Sequence, residues 1–503
     1  MKKQLKTVKE KKTVMFREVY PIQEPYVYAA IIKESDTGKI RYEVIEPTLL
    51  EEEQEKLREI KKILMEEVDV GIKEIGTKEK AEEYLKNKVL EVIKDYKIEI
   101  AKEAIDKLLY YVIRDFLGYG KIDPLMKDHL IEDISVDGIG IPVYVWHRIY
   151  ESLPTNIVFE NEEELNSYIF RLAYLAGKNI SLASPLLDAS LPDGSRIQLT
   201  YGSEITRRGS TFTIRRFRVD PLTISDLIAF NTLSPEIAAY FWYIIENRAS
   251  ILIGGGVAAG KTTTLNCLSM FIKPELKIVS VEDTPELNLP HENWIPSVVR
   301  TGSGPRERDG IDLFTLLKAA VRQRPDYIIV GEVRGEEAYT LFQAIATGHL
   351  GMCTMHAESV EAAISRLESE PMNIPKSMIA MIDNIVIQTR TEIEGKPARR
   401  VVTVTEILGL NSKTKELMTK EIYSWDPKTD NFKQKGKSEI LKRHIERYGI
   451  SDEKLRNELK RRETVLKWMV KNNIRRYTDV AKIIREYYAN PERVYNKARV
   501  GMK

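Results

Sequence analysis

The sequence predicts an α/β protein: a parallel sheet flanked by helices, preceded by an α+β region and followed by a helical C-terminal tail. Three observations carry that prediction. Short apolar runs at residues 251–253, 278–281 and 327–330 are separated by helix-compatible stretches, the pattern of βαβ units. A glycine-rich loop, Gly255-Gly-Val-Ala-Ala-Gly-Lys-Thr262, follows the first run and opens a helix-compatible segment at 263–270. Upstream the pattern mixes alternating strands with amphipathic helices, and beyond residue 430 it turns basic and helical.

Taken in order, residues 1–50 read as a basic arm followed by strands at 26–33 and 40–45, around a hairpin signal at Asp36-Thr37-Gly38. Residues 51–118 read as helices, because Leu57, Ile60, Ile63 and Leu64, then Leu85, Val89, Val92 and Ile93, recur at helical spacing. Residues 131–148 alternate strand and turn, broken by Gly138 and Gly140. A helix is predicted over 162–176 with Asn161 as its cap, then strands at 197–199 and 211–215. Ser225 is the expected cap of a helix starting near Leu227, and a domain boundary is placed near 218–226. The expected division is an N-terminal extension at 1–104, an α+β domain at 105–222, the parallel-sheet domain at 223–430, and basic helices at 431–503.

Composition bounds what such a chain can be. Of 503 residues, 43% are hydrophobic and 30% charged, ample for buried cores and too apolar for a disordered chain. No apolar run approaches the ~20 residues of a membrane span. The basic start, MKKQLKTVKEKKT, has no apolar stretch behind it that would make a secretory leader. Cys267 and Cys353 are too few for a disulfide framework, so a cytoplasmic location is expected. The net charge of +2 hides an asymmetry. Residues 431–503 carry 21 Lys and Arg against 9 Asp and Glu, which leaves the first 430 residues at −10. The basic end suggests either an anionic partner (acidic protein, lipid or nucleic acid) or a solvated helical surface.

The loop at 255–262 fits G-x-x-x-x-G-K-[ST] in full and in the required strand–loop–helix context. Glycines let the chain curl so that backbone N–H groups face phosphate oxygens, and the following helix presents its positive end. Gly255, Gly256, Val257, Ala258, Ala259, Gly260, Lys261, Thr262 and Thr263 are therefore the predicted binders of a nucleoside triphosphate. Lys261 would bridge the β- and γ-phosphates, and the Thr262 hydroxyl would ligate Mg²⁺. Two further strand ends carry acids, Glu282-Asp283 and Gly331-Glu332. Ligands of open parallel sheets bind beyond those ends, so Glu332 is expected beside Mg²⁺ or its waters, and the pair of acids suggests catalysis.

In this order the boxes resemble the secretion ATPase superfamily, the hexameric motors of type II and type IV secretion, type IV pili and archaella. The matching boxes are the loop itself, an acidic box Val281-Glu-Asp-Thr-Pro-Glu286-Leu, and a second acidic strand Arg324-Pro-Asp-Tyr-Ile-Ile-Val-Gly-Glu332-Val-Arg-Gly. A histidine box follows, from Thr347-Gly-His349-Leu-Gly to Thr354-Met-His356-Ala. Upstream, Ile131-Glu-Asp-Ile-Ser-Val-Asp-Gly138, Leu191-Pro-Asp-Gly-Ser-Arg196-Ile and Phe212-Thr-Ile-Arg215-Arg216-Phe217 look like the family's N-terminal domain. Composition and the extended N-terminal region look most like the archaeal branch. Within it the archaellum motor ATPase is the nearest resemblance and an archaeal pilus-assembly ATPase the second.

The resemblance implies a RecA-like ATPase domain that hydrolyses ATP with Mg²⁺. It implies Glu282 as general base, Glu332 as organiser of Mg²⁺, and His356 as a contact on the γ-phosphate side, with His349 as a further candidate. Arginines of the N-terminal domain are implied to reach the phosphates within a subunit or across an interface. Arg196, Arg215 and Arg216 fit by position, with Arg207, Arg208 and Arg218 in reserve. The implied partners are a homo-hexamer and a polytopic membrane platform protein, with the chain peripheral to the inner face of the cell membrane. The basic ends would touch acidic loops or lipid headgroups. No nucleic acid is expected, since the core carries no aromatic-interleaved basic motif. The loop departs from many relatives at Val257-Ala258-Ala259. Backbone amides do the cradling, so binding is expected to survive with slower loop adjustment.

Overall fold

The computed structural model describes residues 14–35, 37–67, 77–217, 220–300 and 310–502. The basic arm at 1–13, Asp36 of the hairpin signal and Arg218 lie outside them. The chain divides into two compact units, Met1–Arg216 and Phe217–Lys503.

In the first unit, β1 (Val14–Gln23), β2 (Val27–Glu34) and β3 (Ile40–Ile45) form an antiparallel meander. Helices α1 (Glu51–Glu67), α2 (Lys78–Asp95) and α3 (Lys102–Phe116) follow. The helical spacing read from the sequence is the spacing that buries Leu57, Ile60, Leu64, Leu85, Val89 and Val92 against Leu108 and Val112. After a short α4 (Asp123–Lys127) come β4 (Ile131–Val136), β5 (Pro142–His147), β6 (Glu151–Val158), α5 (Glu162–Leu175), β7 (Leu186–Ser190), β8 (Arg196–Thr200) and β9 (Thr211–Arg215). Asn161 caps α5 as expected, its side chain accepting the Glu164 N–H at 2.9 Å. The nine strands run β1-β2-β3-β6-β5-β4-β9-β8-β7, antiparallel throughout except where β3 meets β6.

A buried polar knot ties this unit together. Asp128, 1% exposed, accepts the hydroxyls of Tyr20 at 2.7 Å and Tyr42 at 2.6 Å on Oδ2 and the Leu130 N–H at 2.8 Å on Oδ1. His147, fully buried, takes the N–H groups of Ile149 and Tyr150 on Nδ1, and its Nε2 lies 3.2 Å from the Tyr20 hydroxyl. Every heteroatom of the knot has a partner, which is what makes so much buried polarity tolerable.

The second unit opens with α6 (Ile224–Ala229) and α7 (Pro235–Glu246). The cap of α6 is Thr223 rather than Ser225. The Asp226 carboxylate accepts the Thr223 N–H at 2.9 Å and its hydroxyl at 3.0 Å, so the helix starts one turn earlier than the apolar spacing suggested. Then come β10 (Ile251–Gly255), α8 (Lys261–Ser269), β11 (Ile278–Glu282), β12 (Trp294–Val298), α9 (Leu313–Arg322), β13 (Tyr327–Val330), α10 (Glu337–Ala346) and β14 (Leu350–Met355). Helices α11 (Val360–Glu368) and α12 (Lys376–Ile379) lead to β15 (Asn384–Ile393), β16 (Lys396–Leu410), β17 (Leu417–Asp426) and β18 (Asn431–Gln434). The sheet order is β12-β11-β13-β14-β10-β15-β16-β17-β18. It is parallel from β12 to β15 and antiparallel beyond, so the expected parallel sheet is extended by a meander that the sequence reading did not contain.

Among the described residues four helices follow β18: α13 (Glu439–Tyr448), α14 (Asp452–Lys471), α15 (Tyr477–Ala489) and α16 (Pro491–Met502). Leu455, Val465, Leu466, Met469, Val480, Ile484 and Tyr487 share one core with the apolar face of α7. Trp242 of α7 stacks on Phe271, with centroids 5.2 Å apart, and meets Tyr487 at 4.8 Å. Arg462 is 4% exposed, paired with Glu246 and Glu458 and lying over the Trp242, Tyr243 and Tyr487 rings. Glu406 of β16 holds the start of α13, accepting the Glu439 N–H at 2.7 Å and the Ser438 hydroxyl. Among the described residues no helix is long and apolar enough to cross a membrane.

Candidate active site

Because β11, β13, β14 and β10 are parallel and in register, their C-terminal ends share one edge. That edge collects the loop after β10, Glu282 at the end of β11, Glu332 just past β13 and His356 just past β14. The loop curls at two left-handed residues, Ala258 (φ +57°) and Gly260 (φ +89°). An alanine takes that conformation at a cost of ~1–2 kcal/mol, so the departure at Val257-Ala258-Ala259 has a local price in strain. Gly255 cannot carry a side chain, since a Cβ there would fall 2.3 Å from the Gln388 carbonyl oxygen. Val257, 82% exposed, stands at the tip, and Thr262 and Thr263 lie half-buried in the first turn of α8.

Lys261 is only 8% exposed. Its Nζ donates to the Gly256 carbonyl at 3.0 Å and lies 3.3 Å from His356 Nδ1. An ammonium only donates, so Nδ1 is the acceptor and the neutral ring carries its proton on Nε2. That nitrogen is 2.9 Å from Glu332 Oε1. Lys261, His356 and Glu332 therefore lie in contact in that order across the strand ends, with Glu332 Oε1 buried and accepting no hydrogen bond among the described residues. Burial lowers the Lys261 pKa from the ordinary ammonium value, opposed by the charges of Glu332 and Glu286.

Glu282 is the other candidate group. It is 2% exposed, and its Oε1 accepts the N–H groups of Glu286 and Leu287, each at 3.0 Å. Oε2 takes no hydrogen bond among the described residues. Burial pushes the carboxyl up to about 7, against the pull of the two N–H groups. A carboxylate titrating near neutrality is matched to accepting a proton from water. Gly331 on the adjacent strand makes room for it, since a Cβ there would lie 3.1 Å from Glu282 Cγ. Beyond Glu332 the chain is turned by Glu337, which accepts the N–H groups of Arg334 and Gly335 at 2.7 and 2.8 Å, and Arg334 pairs with Asp283.

His349 does not join them. It precedes β14 while His356 follows it, so ~20 Å of strand separates the two. Its Nδ1 lies 2.9 Å from the Pro325 carbonyl, a packing position. The arginines belong to the first unit. Arg196 and Arg215 face each other across β8 and β9, near Asp188 at 3.7 Å and Asp133 at 3.8 Å, and are 47% and 66% exposed. Arg216 is used differently, donating to the carbonyls of Ile131, at 3.0 Å, and Asp128. Arg207 and Arg208 are exposed in the loop between β8 and β9.

The pattern of the family described as type II/IV secretion system protein matches residues 121–449. The chain belongs to this family. A pattern described as PilB3-like, C-terminal, matches residues 428–501. An uncharacterized protein of Methanocaldococcus jannaschii is 39% identical over 494 residues, covering 93% of this chain and 88% of that one. A second from the same organism is 48% identical over 263 residues, covering 52% and 97%. These relatives fit the archaeal branch. Among solved structures, the ATPase DotB of Legionella pneumophila is 17% identical with a TM-score of 0.41, covering 74% of this chain and 92% of that one.

Membership of the secretion family implies nucleotide binding and, with it, Mg²⁺. The residues fit both. The loop offers amides, Lys261 and a helix N-terminus to phosphate. Thr262 and Glu332 are oxygen donors, suited to a hard cation that keeps waters and phosphate oxygens in its shell. Among the described residues no cluster of three or more His, Cys, Asp and Glu could hold a metal by itself. Bound there, Mg²⁺ would neutralise phosphate charge. Sequence reasoning missed Gln388, whose side chain reaches the loop from β15. The available signal was a lone amide at the end of the apolar run Asn384-Ile-Val-Ile-Gln388.

Proposed function

We propose that the chain hydrolyses ATP with Mg²⁺ as one subunit of a hexameric ring and turns hydrolysis into movement between its units. The observation that carries the reading is the convergence of Lys261, His356, Glu332 and a near-neutral Glu282 on one phosphate-binding loop. In this proposal Glu282 takes the proton of the attacking water, Glu332 and Thr262 hold Mg²⁺, and His356 follows the γ-phosphate. Arg196 and Arg215 supply positive charge in cis or from a neighbouring subunit, where one such group can be worth ~10³–10⁵ in turnover.

The work proposed is assembly or rotation of an archaeal type IV pilus-like filament, the archaellum, through a polytopic membrane platform protein, from the cytoplasmic face of the membrane. Pilus assembly or type II/IV secretion is the second reading, supported by the family match. The anionic partner of the basic end is assigned to the platform's acidic loops or to lipid headgroups. Lys482, Arg493 and Arg499 are exposed there. Reversing these three charges should release the protein from platform-containing membranes, and unchanged recruitment overturns that assignment.

The deciding experiment is ATP turnover per subunit across a dilution series, with particle mass followed in parallel. Specific activity should collapse as the ring dissociates, and Lys261→Ala should abolish it. Tight ATP binding without turnover at any concentration would favour a nucleotide-dependent scaffold. Full turnover by monomers would exclude arginines acting in trans.

A further inference from the structure

Gln388 lies inside the sheet on β15, between β10 and β16, and is 2% exposed. A buried primary amide is costly unless it is hydrogen-bonded, and an apolar residue would fill a sheet interior at lower cost. Here both ends of the amide are used, and both on the phosphate loop and its helix. Oε1 accepts from Thr264 Oγ1 at 2.7 Å, and Nε2 donates to the Ala259 carbonyl at 2.8 Å. Thr264 is in the first turn of α8 and Ala259 is in the loop, so the amide bridges the left-handed joint at Gly260.

The main chain of the same residue takes part. Gly255 faces Gln388 in the β10–β15 register, and it is the Gln388 carbonyl that forbids a Cβ there. A Cβ on Gly260 would fall 3.0 Å from Gln388 Nε2. The loop thus enters against the Gln388 main chain and leaves against its side chain. The β15–β16 pairing is irregular at Ile387/Gln388, the kind of bulge that re-aims a side chain beside a site.

We propose that Gln388 is a positioning residue of the nucleotide site. It fixes the angle between loop and helix, so that the loop amides and the positive end of α8 point at the same phosphate oxygens. The inference rests on the reading of the loop as a nucleoside triphosphate site. Gln388 touches no phosphate and acts through Ala259 and Thr264. Because it holds the loop equally before and during reaction, its loss weakens binding and spares the chemical step.

The test uses the full-length protein, a fluorescent ATP analogue for binding and steady-state turnover with Mg²⁺. Gln388→Met keeps the length and removes both bonds. Kd and KM should rise about tenfold, with kcat changed by less than about threefold. The stranded Thr264 hydroxyl and Ala259 carbonyl should also lower the melting temperature of the nucleotide-free protein, so binding is read well below the unfolding transition. Thr264→Val removes one bond from the other side and should raise Kd about threefold. Added to Gln388→Met, it should change nothing further. Wild-type affinity in a folded Gln388→Met, or a double variant whose affinity loss is the full sum of the two single losses, overturns the proposal. Should Gln388→Met fail to fold, a wild-type Kd in Thr264→Val overturns it alone. Lys261→Ala separates the two claims. If that variant still binds ATP normally, the nucleotide reading fails and the positioning role falls with it. If it loses binding while Gln388→Met does not, only the positioning role is wrong.

Discussion

Asp128, between α4 and β4 of the first unit, and Glu282, at the end of β11 in the second, are equally buried carboxyls, 1% and 2% exposed. Their oxygens face different things. Both oxygens of Asp128 are taken, by two tyrosine hydroxyls and a backbone N–H, and the group cross-links the start of the chain to the sheet. Glu282 has both its donors on one oxygen and keeps the other for what enters at the strand ends. Burial alone does not mark a reactive acid. What marks it is a lone pair left over after folding has been satisfied.

The sharpest way to break this comparison is to neutralise each acid. Glu282→Gln should cost ~10²–10⁴ in turnover while ATP binding holds and the melting temperature at neutral pH does not fall. Asp128→Ala should do the reverse. It strands two buried hydroxyls, at ~1–3 kcal/mol each, and a denaturation curve should show the loss while the nucleotide loop still binds ATP. If Asp128→Ala abolished turnover in a folded protein, the distinction would be wrong.

A pH series sharpens it further. In the proposed mechanism Glu282 must be ionised to accept a proton, and burial pushes its carboxyl up to about 7. Turnover should therefore rise about tenfold per pH unit below that value and level off above it, and Glu282→Gln should lose this limb. Stability runs the other way. The native carboxyl binds its proton more tightly than the ordinary 4.5, so raising pH from about 4.5 to about 7 costs the fold stability, a slope that Glu282→Gln should flatten.

The smallest effect tests the arginines by the same logic. Arg215→Ala removes an exposed charge and should move stability by no more than ~0.5 kcal/mol. Arg216→Ala removes a donor to two carbonyls and should cost ~1–3 kcal/mol. A loss of ring turnover with Arg215→Ala, at unchanged melting temperature, would mark it as a charge supplied to phosphate.

Three strands of the parallel half, β10, β11 and β13, were legible because they are short, apolar on both faces and end in charge or glycine, whereas β12, β14 and β15 were not read. Glu282 and Glu332 stand where those runs stop and Lys261 in the loop after the first of them, while His356 came only from the resemblance. The antiparallel half was not legible, because β16 and β17 mix Lys, Arg, Thr and Glu with their apolar residues and read as surface. Gln388 was invisible for a related reason. One amide in an apolar run carries no period, and only the fold shows that Thr264 and Ala259 are waiting for it. Ser225 was read as the cap, but Thr223 two residues earlier holds that place because Asp226 reaches back to its N–H and hydroxyl. Arg216 shares its motif with Arg215 but, as the next residue along an extended chain, points the opposite way.

The shared core of α7 with the last four helices has a consequence for ancestry. Trp242, Tyr243 and Ile245 are buried in one cluster that includes Leu455, Val465 and Tyr487 of the last helices. A relative that ended near residue 430 would wear that surface bare. Lineages with and without the C-terminal helices should therefore differ at these α7 positions too, polar in one and aromatic or aliphatic in the other. The presence of the cap would then be readable two hundred residues before it begins.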